Sequence, residues 1–224
     1  MKREVRMEEI SDGKLYTAND LVKADCSDCE GCSSCCHDMG TSILLDPLDV
    51  HRITSGLGVT FEQLLAEHVE LNVVDGVILP NLKMSEGRNC CAFLGEDGRC
   101  TIHTIRPGIC RLFPLGRFYE NGGFRYFLQT HECKKENRTK VKVKKWIDTP
   151  DLKKNEKYIA DWHYFLLDVQ ENLAKKTDEA LIKKVNLFLL QSFFLEPYDG
   201  EEDFYAQFDA RLSKVKTSLQ TILG

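Results

Sequence analysis

Ten cysteines crowd between residues 26 and 133 of this chain, and none follows Cys133. The first five, Cys26, Cys29, Cys32, Cys35 and Cys36, fall in the run CSDCEGCSSCC, three successive C-x-x-C steps. A two-residue gap lets two thiolates face one ion while backbone N–H groups turn toward the sulfurs. Zinc and iron–sulfur sites both use that spacing. A second group, Cys90, Cys91, Cys100 and Cys110, lies in CCAFLGEDGRCTIHTIRPGICRLFP, and Cys133 stands alone beyond it. Bringing the groups together means closing the Cys-free stretch 37–89, at an entropy cost that grows only logarithmically with loop length.

What such a set does depends on its compartment. The N-terminal MKREVRMEEISDGK has no apolar stretch behind its charges, so no secretory leader is expected. No run approaches the roughly 18 apolar residues of a membrane span; the best candidate, 187–195, is broken by Gln191 and Ser192. A cytoplasmic location is therefore expected, where thiols stay reduced and a cysteine cluster points to metal or redox chemistry. The net charge of −5 argues against a general polyanion binder.

The pattern predicts an α+β fold. A small Cys-rich, metal-organised part with short hairpins and helices precedes an α-helical part of about three helices. The expected divisions are an N-terminal extension at 1–24, a metal-binding domain at 25–148 and a helical region at 149–224. Ser42 to Leu45 reads as a short strand. Asp46-Pro47 opens a helix ending near Gly58, and Thr60 with Gln63 forms a capping box for a helix through about Val69. Hairpins are expected at Asp75-Gly76, from Cys91 to His103 turning at 95–98, and around Asn121-Gly122-Gly123. Seven basic residues between Lys134 and Lys145 include lysines alternating with Val141 and Val143, as on an edge strand with one solvated face. A phosphate or nucleic-acid patch is the sharper reading, and the lack of aromatic interleaving weighs against it. In the last part, helices are expected from Thr149-Pro150 through Leu173, from Thr177 through Leu189 and from Phe204 through Ile222, each with an apolar stripe. Core packing is the plain reading of those stripes, and a partner or oligomer surface the other.

The metal is harder to read. A ferredoxin-like spacing runs Cys26-x2-Cys29-x2-Cys32-x3-Cys36, but His37 stands where proline is expected and no second run exists. Adjacent Cys35 and Cys36 cannot easily reach one tetrahedral ion, so they serve different metals, or one serves a metal and the other the core. Arg88, Arg99, Arg106, Arg111 and Arg117 thread the second group and could offset thiolate charge. Arg106 and Arg111 are the candidates for tuning a centre through hydrogen bonds to sulfur. His37, His103 and His131 sit near cysteines and are further candidate ligands.

The motifs Cys29-x2-Cys32-x2-Cys35-Cys36, Cys91-Ala92-Phe93-Leu94, Gly98-Arg99-Cys100-Thr101-Ile102-His103, Arg106-Pro107 and Cys110-Arg111-Leu112-Phe113-Pro114 resemble the CxxCxxCC, or YkgJ-type, cysteine-cluster family of zinc- or iron-chelating domains. Asp46-Pro47-Leu48-Asp49-Val50 with Arg52-Ile53 resembles that family's helix after the first cluster. The resemblance covers about residues 25–133. It implies eight metal ligands: Cys29, Cys32, Cys35, Cys36, Cys91, Cys100, Cys110 and, as the best eighth, Cys133. Cys26 and Cys90 are left over, with structural burial the first expectation for both. Some multidomain relatives accompany protein lysine methylation, but no glycine-rich nucleotide loop supports transferring that activity here.

Three functions follow as expectations. The first is an iron–sulfur or other iron centre in a redox or metal-handling protein, with zinc as the alternative metal. The second is a structural-zinc module acting through its helices and basic segment. The third, a thiol–disulfide enzyme using a vicinal Cys pair, ranks last because such bonds are poorly shaped. An unknown protein partner is expected at the C-terminal helices, with nucleic acid and membrane disfavoured. No catalytic residue is identified, and whether the chain is an enzyme stays open.

Overall fold

The computed structural model describes residues 6–25, 31–85, 87–135 and 137–223. After a single helical turn, α1 (Met7–Ile10), and strand β1 (Leu21–Asp25), the chain passes the first cysteines through a 3-10 turn, Ser34–Cys36. Helix α2 (Pro47–Leu57) is closed at its start by a reciprocal box: Asp46 accepts the Asp49 N–H and Asp49 accepts the Asp46 N–H. Gly58, at φ +69°, ends it in the left-handed conformation that glycine tolerates best. Helix α3 (Phe61–Glu67) opens with the Thr60–Gln63 box. It stops short of Val69 because that residue begins β2 (Val69–Val74), which turns at Asp75-Gly76 into β3 (Val77–Leu82).

Beyond β3 the structure departs from expectation. Cys91 does not enter a hairpin with Cys100. Strand β5 (Cys90–Cys91) pairs instead with β4 (Met84–Ser85), and only one bridge, Leu94 to Cys100, closes the 95–98 turn. The run 42–45 lies along β3 through backbone bonds at Ile43 and Leu45 but forms one bridge, Leu44 to Asn81, rather than a strand. Next come a short helix α4 (Gly108–Leu112) and the expected hairpin of β6 (Leu115–Glu120) with β7 (Gly123–Leu128). In the basic segment, β8 (Thr139–Lys142) pairs antiparallel with β1, leaving Lys140 and Lys142 exposed. The alternation ends there, because fully buried Val143 starts helix α5 (Val143–Ile147).

Helix α5 ends at Asp148 in the left-handed conformation, so Thr149-Pro150 forms the link to the next helix rather than its cap. Helix α6 (Leu152–Leu173) starts after Asp151, and α7 (Glu179–Leu190) after Asp178, whose carboxylate accepts the Ala180 and Leu181 N–H groups. A π-helical turn, Gln191–Leu195, extends α7, and α8 (Phe204–Leu223) closes the fold. No helix among the described residues is long and apolar enough to cross a membrane.

Two apolar cores result. The larger joins α2, α3 and the β2–β3 hairpin to all three long helices, with Ile53, Leu64, Val77, Tyr158, Phe193 and Phe208 almost wholly buried. Polar pins fix the join. Asn186 of α7 accepts the Ile78 N–H and donates to the Gly76 carbonyl, and the Tyr158 hydroxyl accepts the Leu48 N–H. The smaller core holds β1, the β6–β7 hairpin and α5 together, around Val22, Ala24, Leu115, Leu128 and Val143.

Arg211 of α8 ties off the π-helical turn. It donates to the carbonyls of Ser192, Glu196 and Pro197, and its guanidinium lies 3.9 Å from the Tyr198 ring centre. Lysine cannot reproduce that fork over a ring. Arg211→Lys is expected to lose about 1–2 kcal/mol in urea unfolding; an unchanged midpoint would deny the tie its role.

Candidate metal centre

Three loops carry the thiols to the seam between the two cores. The 3-10 turn presents Cys35 and Cys36, the β4–β5 pair and the 95–98 turn present Cys91 and Cys100, and α4 presents Cys110. Cys91 is buried in the larger core, and Cys36, Cys100 and Cys110 pack against it. Cys32, Cys35 and Cys133 line a cavity of about 20 Å³ with Phe113, Pro114, Lys134, Lys135 and Trp146. Trp146 belongs to the edge of the smaller core, and its Nε1 donates to the carbonyls of Leu112 and Phe113. All the described cysteines are free thiols. Cys90 is buried, as expected of a surplus cysteine, and its backbone bridges His37. Cys26 and Cys29 lie outside the described residues.

These thiols feel one another. A hydrogen bond from Cys36 holds Cys35 down to about 7, and the Arg106 charge helps. Cys36 is pushed well above the usual thiol range by that same bond, by burial and by the charges of Cys35, Cys91 and Cys100. Burial raises Cys110 strongly, with Asp49, Cys91, Cys35 and Cys100 adding to it. Cys91 and Cys100 are raised chiefly by burial, and Arg106 partly offsets the shift at Cys100. A crowd of buried thiols becomes anionic only beside a cation that supplies the counter-charge.

The other expected residues separate. Arg106 stands beside Cys35 and Cys100 and contacts the His103 ring and carbonyl. Arg111 instead donates to the carbonyls of Asp148 and Thr104, tying α4 to the end of α5. Burial, with Arg106 and Arg52 nearby, lowers its pKa. His131 is exposed, and the His37 Nε2 lies 3.5 Å from the Ser33 hydroxyl.

Sequence reasoning gave Asp49 no role at the site. Its carboxylate is buried and accepts the Gly108 N–H at 2.7 Å, at the first residue of α4. Asp49 thus fixes the turn that carries Cys110. The Asp46-Pro-Leu-Asp49 spacing reads as a helix cap, and only the fold shows its second partner.

The donor set is soft sulfur with an arginine beside it, which suits zinc or iron rather than calcium or magnesium. Among the described residues, no group of three or more His, Cys, Asp or Glu side chains is arranged to hold a metal ion as it stands. Residues 28–144 match the CxxCxxCC family, described as a "Putative zinc- or iron-chelating domain".

The chain belongs to the CxxCxxCC family. The matched residues contain every described cysteine and strand β8 but not its partner β1, and end inside α5. Metal chelation by a CxxCxxCC domain therefore accounts for the thiols at the seam. No curated protein and no solved structure shows significant similarity to the chain.

Proposed function

We propose that this CxxCxxCC protein holds an iron centre, as an iron–sulfur cluster or bound iron, and serves in redox chemistry or metal handling. The convergence of Cys35, Cys36, Cys91, Cys100 and Cys110 on one seam carries the reading. Five converging thiols exceed the four that close a single tetrahedral zinc site. Arg106 supports iron further, because a charged donor beside cluster sulfur tunes its potential. The ligands in this reading are Cys29, Cys32, Cys35, Cys36, Cys91, Cys100, Cys110 and Cys133. Iron would supply the electron transfer. The protein's own residues hold the sulfurs, exclude water through the larger core and set the field through Arg106. Free thiols in this number suit a reducing compartment, which supports a cytoplasmic location.

A structural-zinc module is the second reading, favoured by one feature. An open groove of about 540 Å³ runs between α6 and α8, lined by Tyr164, Phe165, Asp168, Lys216 and Leu219 among others, where a partner protein could lie. Anaerobic purification with metal and acid-labile sulfide analysis separates the two. Iron with sulfide and visible absorption is the expected result. Stoichiometric zinc in a colourless protein would overturn the iron centre and leave the groove as the working surface.

A further inference from the structure

One edge of the β2–β3 hairpin is taken and the other is open. The unbroken register sets Leu71 opposite Pro80, Asn72 opposite Leu79 and Val73 opposite Ile78. In an antiparallel pair, residues alternate between exchanging both backbone bonds with the facing strand and turning them away. Ile78 and Pro80 turn theirs away: the Ile78 N–H donates to Asn186 Oδ1, and the Pro80 carbonyl accepts the Leu45 N–H. Leu71 and Val73, opposite them, therefore point their N–H and C=O groups out of the other edge. Among the described residues nothing bonds to those groups, and β2 pairs with β3 alone. The same two residues carry the strand's exposed apolar side chains, Leu71 at 42% and Val73 at 71%. Edge strands are commonly blunted by a bulge, a proline or a lysine. The six residues of β2, VELNVV, have none of these. Their one charge, Glu70, lies on the opposite face, where the Asn72 and Asn81 amides donate to it.

We propose that β2 is a dimer edge, pairing antiparallel with β2 of a second copy about a two-fold axis through Asn72. Facing side chains in a sheet share a face, so the axis must pass through a residue rather than between two. Centring on Leu71 would set Val73 against the partner's Val69, which is buried at the start of the strand. Centring on Val73 would set Leu71 against the partner's Asp75, in the turn. Only Asn72 as centre sets Leu71 against the partner's Val73, twice over. The outward groups of both residues then close as hydrogen-bonded pairs, and the exposed side chains pack across the strands. The edge is thus its own complement, which favours a second copy over a foreign strand. Like charges do not meet in this pairing, although the chain carries −5 overall. The two Glu70 carboxylates lie on the other face, offset by about 13 Å along the strands. A contact of this size is reversible rather than obligate. The pairing uses none of the thiols and stands apart from the iron reading.

The test is sedimentation equilibrium of the full chain under reductant, with the protein concentrated to about 0.5 mM. The mass should rise from one chain toward two. Val73→Lys puts two cations beside the axis at an exposed position, so it should stay a monomer with native circular dichroism. Leu187→Lys, at a comparably exposed apolar residue on α7, should dimerise like wild type. Amide exchange followed by NMR reads the register. Protection of the Leu71 and Val73 amides should rise at least tenfold on concentrating wild type, while that of Asn72, already bonded to β3, stays level. A wild type that remains a monomer throughout would overturn the proposal. A dimer that survives Val73→Lys, or one that forms with the Leu71 and Val73 amides unprotected, would overturn it as well. None of these readouts depends on bound metal, so failure here leaves the iron centre to its own analysis.

Discussion

Phe208→Ala should cost about 3–5 kcal/mol, the usual range for emptying a buried aromatic site. Phe208 has no exposed surface and sits among four rings: Tyr158 at 4.5 Å, Phe193 at 6.0 Å, and Trp162 and Phe204 at 6.2 Å. Collapse of the surrounding side chains is resisted because Tyr158 is itself pinned, its hydroxyl accepting the Leu48 N–H at the start of α2. The consequence reaches the thiols. The core that Phe208 fills is also the one on which Cys36, Cys91, Cys100 and Cys110 rest. Urea unfolding followed by helix signal and by thiol exposure to a chromogenic reagent should show both shifting together, to the same lower midpoint. A large shift in helix signal with thiol protection unmoved would show that the helices and the centre are energetically independent.

Asp49 is the second sensitive position. Asp49→Ala would leave two N–H groups, those of Gly108 and Asp46, without their carboxylate. Each unsatisfied buried donor costs about 1–3 kcal/mol, so a loss of about 2–6 kcal/mol is expected. Cys110 would lose the fixed turn that presents it, and retained metal should fall with stability. The pH dependence has a definite sign. Burial, then the neighbouring Asp46 charge, raises Asp49 to about 8 in the folded protein, against about 3.9 for a free carboxyl. The folded state therefore binds the proton more tightly. Stability from this source is complete below the unfolded value and is lost as pH rises through about 8. Asp49→Asn removes this contribution, so its urea midpoint should fall less than that of wild type between pH 5 and 8. Parallel profiles would show that Asp49 does not titrate in that window.

Local chemistry made much of the fold legible. Asp46-Pro47 and Thr60–Gln63 each carry a complete helix start within four residues, and both helices begin there. Asp75-Gly76 and Asn121-Gly122 supply the positive φ values that two-residue turns need, and both hairpins formed. The readings that missed depended on distant partners. Cys91 had two possible backbone neighbours and took Met84, upstream, over Cys100. Thr149-Pro150 has every local mark of a helix start, yet α5 ends at the preceding residue and uses the pair as a link. Val143 continued an alternating pattern until burial in the smaller core claimed it.

The site followed the same rule. Spacing identified the thiols as a set, and Arg106 was placed beside them from its position in the second group. Arg111, equally plausible in sequence, turned to the carbonyls of Asp148 and Thr104. Arg106 closes the turn before Pro107, whereas Arg111 lies inside α4, so the two side chains start from different elements.

The distribution of the seam's components along the chain also bears on biosynthesis. Cys32, Cys35 and Cys36 leave the ribosome long before Cys91 to Cys110, and longer still before Phe208, which helps fill the core beneath them. At roughly 5–20 residues per second, about 10–35 seconds separate the first of these thiols from the last of the helices. Throughout that interval the nascent chain displays reduced sulfur with no completed shelter. Oxidant present during translation should therefore inactivate newborn chains at doses that finished protein survives, and the timing of metal delivery relative to synthesis becomes part of how this protein is made.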